Sequence, residues 1–373
     1  MFYQSLQLKQ RSGYFMKLSS AKAILRSLIN AKNAPSVMLW GPPGVGKSDL
    51  VKQIGKELGW PVIDWRLATR NPVDLRGIPV PDKTTMRAVW YPPSELPYED
   101  RDGKQGILFL DEVANAPRDV QTAALQLVLD RKLDEYKVPD NWVVVAAGNR
   151  VIDRAGSYQM ASSLCNRFLH LPICCKIPDL AMGKDCSVDV DLDDWKKWAF
   201  DNNIREEVIS FLSYQPTKLW EASGQVAYPS PRSWEFVSRV LDIIGFNENT
   251  NAAVAGCIGD GATATFMAFC RVRNEMPRVE DILDGMDVAC PKKPDVLYSL
   301  CGAIINKLKR TEDNQKLLRY MDNLLAWYHH MPTEFQVLLT KDIGKIGLMT
   351  QFSMRPKFIE WAAEHKDIFD AII

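Results

Sequence analysis

Three short stretches of the chain hold residue types at spacings that do chemistry. Gly41, Pro42, Pro43, Gly44, Val45, Gly46, Lys47 and Ser48 fit the pattern G-x-x-x-x-G-K-[ST], with Asp49 next in line, and follow an apolar run that ends at Trp40. Glycines in such a loop let successive backbone N–H groups turn inward. A helix opening near Lys47 adds its positive N-terminal end, and the two together suit phosphate oxygens. On that reading the Lys47 ammonium meets the β- and γ-phosphates of a nucleoside triphosphate, and the Ser48 hydroxyl meets Mg2+. A Gly-rich structural turn is the plain alternative.

The second stretch, Ile107 to Glu112, is an apolar run that ends in two acids, Asp111 and Glu112. Such a pair can simply open a helix, whose N-terminal dipole favours negative charge. Beside a phosphate loop it has another use: Asp111 holds the Mg2+ shell, and Glu112 polarises a water toward the γ-phosphate. The third, Trp142 to Asn149, sets an amide just past another buried run, where it orients the attacking water or touches the γ-phosphate. An Asn in an ordinary turn is the competing reading.

These residues need a scaffold that brings loop ends together. From Ser36 to Ile173, short apolar runs alternate with helical segments, the pattern of a parallel sheet flanked by helices. Five runs read as strands: Ser36 to Trp40, Val62 to Trp65, Ile107 to Leu110, Trp142 to Ala147 and Phe168 to Ile173. Their near-continuous hydrophobicity suits burial on both faces. Between the second and third lies a Pro-rich stretch, Pro72 to Pro97, with two extended pieces that Asp82, Lys83 and Thr84 could join as a hairpin. Pro79 and Pro81 cannot donate to a central ladder, so the hairpin is expected to stand off the main sheet.

Length and composition bound the rest. At about 150 residues per domain, 373 residues predict two or three domains, and 46% hydrophobic residues supply their cores. The expected division is an N-terminal extension without functional weight over 1–16, an α/β domain over 17–175, an acidic linker over 176–194, an α-helical lid over 195–290 and a helical C-terminal region over 291–373. Lys plus Arg and Asp plus Glu are 46 each, so no overall field draws the chain onto polyanions. The eight cysteines and four histidines complete no zinc pattern, and reduced, mostly buried thiols are expected. No run is long and apolar enough for a membrane span, and a cytoplasmic protein is expected. Scattered tryptophans such as Trp195, Trp198, Trp220, Trp234, Trp327 and Trp361 read as core packing rather than a base-stacking platform. The acids between Asp185 and Asp194 lack ordered metal-ligand spacing.

GPPGVGKS, LFLDE, the AAGN after a buried strand and LCNRF at Leu164 to Phe168 together resemble the AAA+ ATPases, and within them the MoxR group. The resemblance covers roughly residues 20 to 245, with DLRGIPVP and PSPRSW supporting the narrower assignment. It implies a P-loop NTPase fold, a five-stranded parallel sheet in the order 5-1-4-3-2 followed by a helical lid, acting as a ring, usually a homo-hexamer. It assigns Gly41 to Asp49 to the nucleotide, Ser48 and Asp111 to Mg2+, Asp111 and Glu112 to Walker B, and Asn149 to sensor 1. Arg167 takes the place of the arginine finger that acts on the neighbouring subunit's ATP, with Arg150 and Arg154 close enough in sequence to compete. Arg232 takes the place of sensor 2. The Pro72 to Pro97 hairpin matches the group's insertion, where Trp90 and Tyr91 either touch a partner at the ring pore or pack within the hairpin. The implied cofactors are ATP and Mg2+, and the implied partner bears a von Willebrand factor A-like or metallopeptidase-like domain. A nucleic-acid-directed AAA+ ATPase of restriction or replication type is the runner-up. It lacks a basic stripe with exposed aromatics, and Lys307 to Arg310 is only a short cluster. An inactive nucleotide-sensing scaffold is disfavoured because Lys47, Asp111, Glu112 and Asn149 are all present.

Overall fold

Apolar runs with turn residues at both ends give nine strands in a computed structural model that describes residues 16–31, 34–133, 135–151, 158, 160–173, 192–221, 226–272 and 275–365. They are β1 (Val37–Trp40), β2 (Val62–Arg66), β3 (Ile78–Asp82), β4 (Arg87–Tyr91), β5 (Gln105–Asp111), β6 (Lys132–Leu133), β7 (Tyr136–Lys137), β8 (Asn141–Gly148) and β9 (Leu169–Pro172). Five of them form one parallel sheet in the order β2-β5-β8-β1-β9, which is 5-1-4-3-2 when only these strands are counted along the chain. The central strands β5 and β8 are buried almost throughout. The edge strand β2 is mostly half-buried, because one side of its ladder has no neighbour in the sheet.

Alternation along the strands divides the core between two faces. Met38, Leu108, Leu110, Val144 and Ala146 share one hydrophobic cluster with Val120, Ala124 and Leu127 of the helix Arg118–Leu129. On the strands' remaining positions Val37, Leu39, Phe109 and Val145 are fully buried, and the helix Lys47–Leu58, with Leu50, Val51 and Ile54 inward, packs against β2, β5 and β8. The register settles what meets at the carboxyl edge. Trp40 pairs with Gly148 of β8 and with Pro172 of β9, while Leu110 pairs with Ala146 and Arg66 with Asp111. The residues that follow β1, β5 and β8 therefore emerge side by side.

The Pro-rich stretch holds a short helix, Pro72–Arg76, and then a separate two-stranded antiparallel sheet, β3–β4, as its prolines demand. Asp82 closes its turn by accepting from Thr84 N at 2.8 Å and Thr85 Oγ1 at 2.7 Å. A second small hairpin, β6–β7, has no counterpart in the sequence pattern: its two-residue strands are too short for a hydrophobic period to register.

The chain divides into two compact units, Met1–Val188 and Asp189–Ile373. The second is helical, from Leu192–Asp201 to Pro356–Glu364. One cluster runs from Trp195 through Trp234 and Phe266 to Leu300, Leu339 and Trp361, so the helices on either side of residue 290 share a core. Trp195, Trp234, Trp327 and Trp361 are all buried in it, and Trp198 packs against it. The cysteines depart from expectation. Cys301 is buried, but Cys165, Cys257, Cys270 and Cys290 are only half-buried, and none of the five is in a disulfide among the described residues. The four half-buried ones sit on a helix flank or loop beside the core rather than within it. Cys174, Cys175 and Cys186, residues 1–15 and most of the acidic linker lie outside the described residues. Among the described residues no helix is long and apolar enough to cross a membrane, and no cluster of three potential metal ligands occurs.

Candidate nucleotide site at the carboxyl edge of the sheet

The loop from Gly41 to Gly46 turns sharply because two of its residues adopt backbone angles that disfavour a side chain. Gly44 has φ 78° and Gly46, which caps the helix Lys47–Leu58, has φ 98°. Gly41 is held for a different reason: a Cβ there would lie 3.1 Å from the Ile173 carbonyl oxygen. Pro42 and Val45 are buried, Pro43 is half-buried, and Asp49 is exposed in the first helical turn. The loop thus ends with free helix N–H groups and their dipole facing the carboxyl edge.

Lys47 is only 8% exposed. Its Nζ donates to the carbonyl oxygens of Gly41 at 2.7 Å and Pro42 at 2.9 Å and to Asn149 Oδ1 at 2.8 Å. That last bond fixes the amide's orientation, since only its oxygen can accept from an ammonium. The Asn149 NH2 group is left as a donor without a partner among the described residues. Ser48 Oγ donates to Asp111 Oδ2 at 2.8 Å. A hydroxyl and a carboxylate placed so are oxygen ligands of the kind a hard divalent cation takes, and the residues fit Mg2+. The other Asp111 oxygen accepts from the Glu112 N–H at 2.9 Å. Glu112 has φ 57°, a left-handed conformation that costs a non-glycine residue about 1 kcal/mol and here bends the chain just after β5. Its half-buried carboxylate has no partner among the described residues.

Lys47, Ser48, Asp111, Glu112 and Asn149 are thus gathered from three strand ends. Arg167 is not with them. It follows the short helix Ser162–Cys165 and precedes β9, at the amino edge of the sheet, where Nη1 donates to the Leu125 carbonyl at 3.4 Å. Arg150 follows Asn149 at the carboxyl edge and is half-buried, while Arg154 lies outside the described residues. Arg232 belongs to the second unit. It is exposed in the first turn of Pro231–Ile244, behind a capping box between Ser230 and Ser233.

One feature at this edge leaves no trace in the sequence. Trp40 Nε1 donates to His170 Nδ1 at 2.8 Å, which leaves His170 Nε2 to donate to the Cys165 carbonyl at 2.7 Å. This chain of bonds ties the last residue of β1 to the helix before Arg167. No sequence signal joins residues 130 positions apart.

Residues 36–168 match the AAA domain of the dynein-related subfamily. Over 140 residues the chain is 30% identical to the replication factor C small subunit 1 of Pyrobaculum aerophilum, an alignment that takes in 36% of this chain and 38% of that protein. Among solved structures, a point mutant of Thermotoga maritima RuvB aligns with 17% identity over 81% of this chain and 83% of its own, at a TM-score of 0.35. A second mutant of the same RuvB aligns with 14% identity over 77% and 78%, at a TM-score of 0.33. The phosphate-type loop, the acid-tipped strand and the family match fall in one stretch of the chain: residues 36–168 are similar to the AAA domain of the dynein-related subfamily.

Proposed function

We propose that the chain is a MoxR-like AAA+ ATPase that couples ATP binding and hydrolysis to remodelling, maturation or disassembly of a partner protein, working as a ring of its own copies. The observation that carries this reading is the convergence of Lys47 with Asn149 and of Ser48 with Asp111 at one sheet edge, with the Glu112 carboxylate beside them. The loop N–H groups and Lys47 grip the β- and γ-phosphates of ATP, whose negative charge replaces the carbonyl oxygens now around the ammonium. Ser48 and Asp111 would hold Mg2+, which would supply charge neutralisation for the phosphates. The Asn149 NH2 donors orient a water, and Glu112 takes its proton as the oxygen attacks the γ-phosphorus. The bond to the bridging oxygen breaks, and ADP leaves with the electron pair.

Arg167 completes the site only from a neighbouring copy, because β9 runs between it and its own chain's loop. A guanidinium delivered in this way spreads positive charge over the equatorial oxygens and makes hydrolysis depend on assembly. Arg232 reports nucleotide state to the helical unit, whose rotation against the sheet domain is the mechanical output. The partner on this reading bears a von Willebrand factor A-like or metallopeptidase-like domain.

The test is Mg2+-dependent ATP turnover per chain measured against protein concentration, with and without DNA, at low and moderate salt. Turnover is expected to rise with concentration and to ignore DNA. Strong DNA stimulation that collapses with salt would instead favour a nucleic-acid-directed machine of the replication type that the relative's name indicates. Absence of hydrolysis at every concentration would remove the ATPase reading altogether.

A further inference from the structure

The hairpins β3–β4 and β6–β7 wall a groove of about 500 Å³ that the nucleotide chemistry does not use. Six of its eleven lining residues are aromatic or proline, Trp90, Tyr98 and Tyr136 with Pro92, Pro97 and Pro139, and four of the other five are charged. Much of this surface is fixed in advance. The two tyrosine rings meet edge to face with centroids 5.5 Å apart. The Tyr136 hydroxyl donates to the Pro97 carbonyl at 2.6 Å, and the Arg101 guanidinium lies 5.4 Å from the Tyr98 ring centre. Rings held in this way lose little rotamer freedom when something docks on them.

Two kinds of group in the groove remain without partners. The indole N–H of half-buried Trp90 has no acceptor among the described residues. An indole N–H over an apolar floor calls for a carbonyl oxygen. Glu99 and Glu135 also line the groove, are exposed, and form no ion pair among the described residues. Asp140 differs, since Lys137, the one cation in the lining, has its Nζ 2.6 Å from the Asp140 carboxylate, which leaves Glu99 and Glu135 as the groove's net charge. The groove therefore presents an apolar, ring-lined floor, one donor for a carbonyl, and two carboxylates for a cation.

We propose that this groove binds an extended, proline-containing segment of a partner protein with a Lys or Arg beside its prolines. A polyproline II segment makes no internal hydrogen bonds, so its carbonyls are free for Trp90. At about 3.1 Å per residue, one turn of three residues spans about 9 Å. Its proline rings pack on aromatic walls with little ordering cost, since the segment is already extended. Glu99 and Glu135 select a flanking cation and repel an acidic segment or a nucleic acid backbone. Binding here does not rest on ATP hydrolysis, so it stands or falls apart from the ATPase reading.

The experiment uses the full chain without nucleotide and a fluorescein-labelled heptapeptide, Pro-Pro-Lys-Pro-Pro-Arg-Pro, followed by anisotropy. Two control peptides replace either both basic residues with Glu or all prolines with Gly. The basic proline peptide is expected to bind and both controls to lose at least about tenfold in affinity. Trp90→Ala is expected to weaken binding by about tenfold or more. The double variant Glu99→Gln with Glu135→Gln, which leaves the groove's shape intact, is expected to weaken it about fivefold and to flatten its salt dependence. The proposal is overturned if the Gly control binds as tightly as the proline peptide, if the double variant binds like the wild type, or if no binding is seen up to about 1 mM peptide.

Discussion

Removing the Arg167 guanidinium should abolish hydrolysis while leaving ATP binding intact, and the loss should be repairable by a second, differently crippled copy. The sheet register supplies the reason. Trp40, the residue before the phosphate-type loop, is level with Pro172 at the far end of β9, and Arg167 precedes the near end, Leu169. The three residue steps of β9 alone interpose roughly 10 Å, at about 3.3 Å per step. The Arg167 side chain is directed at the Leu125 carbonyl rather than along the strand. A finger of this kind is worth about 10³–10⁵ in kcat, roughly 4–7 kcal/mol of barrier. Arg167→Ala chains keep a complete carboxyl edge but lend no finger. Lys47→Ala chains are expected to lose ATP binding but still to lend one. In rings assembled at random from equal amounts, half the sites are competent and half of those meet an intact Arg167, so about one quarter of wild-type turnover per chain is expected. The assay is steady-state phosphate release from each variant alone and from co-assembled mixtures, with ATP binding measured separately. Wild-type turnover by Arg167→Ala alone, or a mixture of proven mixed rings no more active than its components, would refute action in trans.

Glu112→Gln keeps the shape beside Asp111 and removes the proton acceptor, so nucleotide binding should persist while single-turnover hydrolysis falls by about 10²–10⁴; near-normal turnover would show that another group receives the proton. In the helical unit, Lys196 and Asp342 form an ion pair whose side chains are 1% and 6% exposed, and Asp342 also accepts from Lys345 at 2.9 Å. Asp342→Ala strands Lys196, whose ammonium burial already pulls its pKa below the usual lysine range, and should cost about 3–5 kcal/mol in urea unfolding. Lys196→Met leaves Asp342 paired to Lys345 and should cost less, about 1–2 kcal/mol; the reverse order would show that Lys345 does not hold the acid.

What could be read from the sequence is what short segments settle alone. The loop Gly41 to Ser48 is contiguous, so its glycines, its lysine and the helix behind it are visible in eight letters. The five strands of the main sheet were legible as apolar runs, most plainly β1, β5 and β8, which are buried in the middle of the sheet, and the order 5-1-4-3-2 came with the family resemblance and is the one observed. The hairpin β3–β4 was legible from prolines that cannot enter a central ladder.

Only the tertiary structure decided the rest, because it depends on register between strands far apart in the chain. The bond from Lys47 to Asn149 spans 102 residues, and that from Trp40 to His170 spans 130. Neither follows from spacing, since shifting a strand by one residue would turn each side chain to the other face. The same holds for the shared core on both sides of residue 290 and for the groove between the two hairpins. Local chemistry writes which groups can act; the pairing of β1 with β8 and β9 decides which of them meet, and sets Arg167 at the opposite edge of the sheet from the loop.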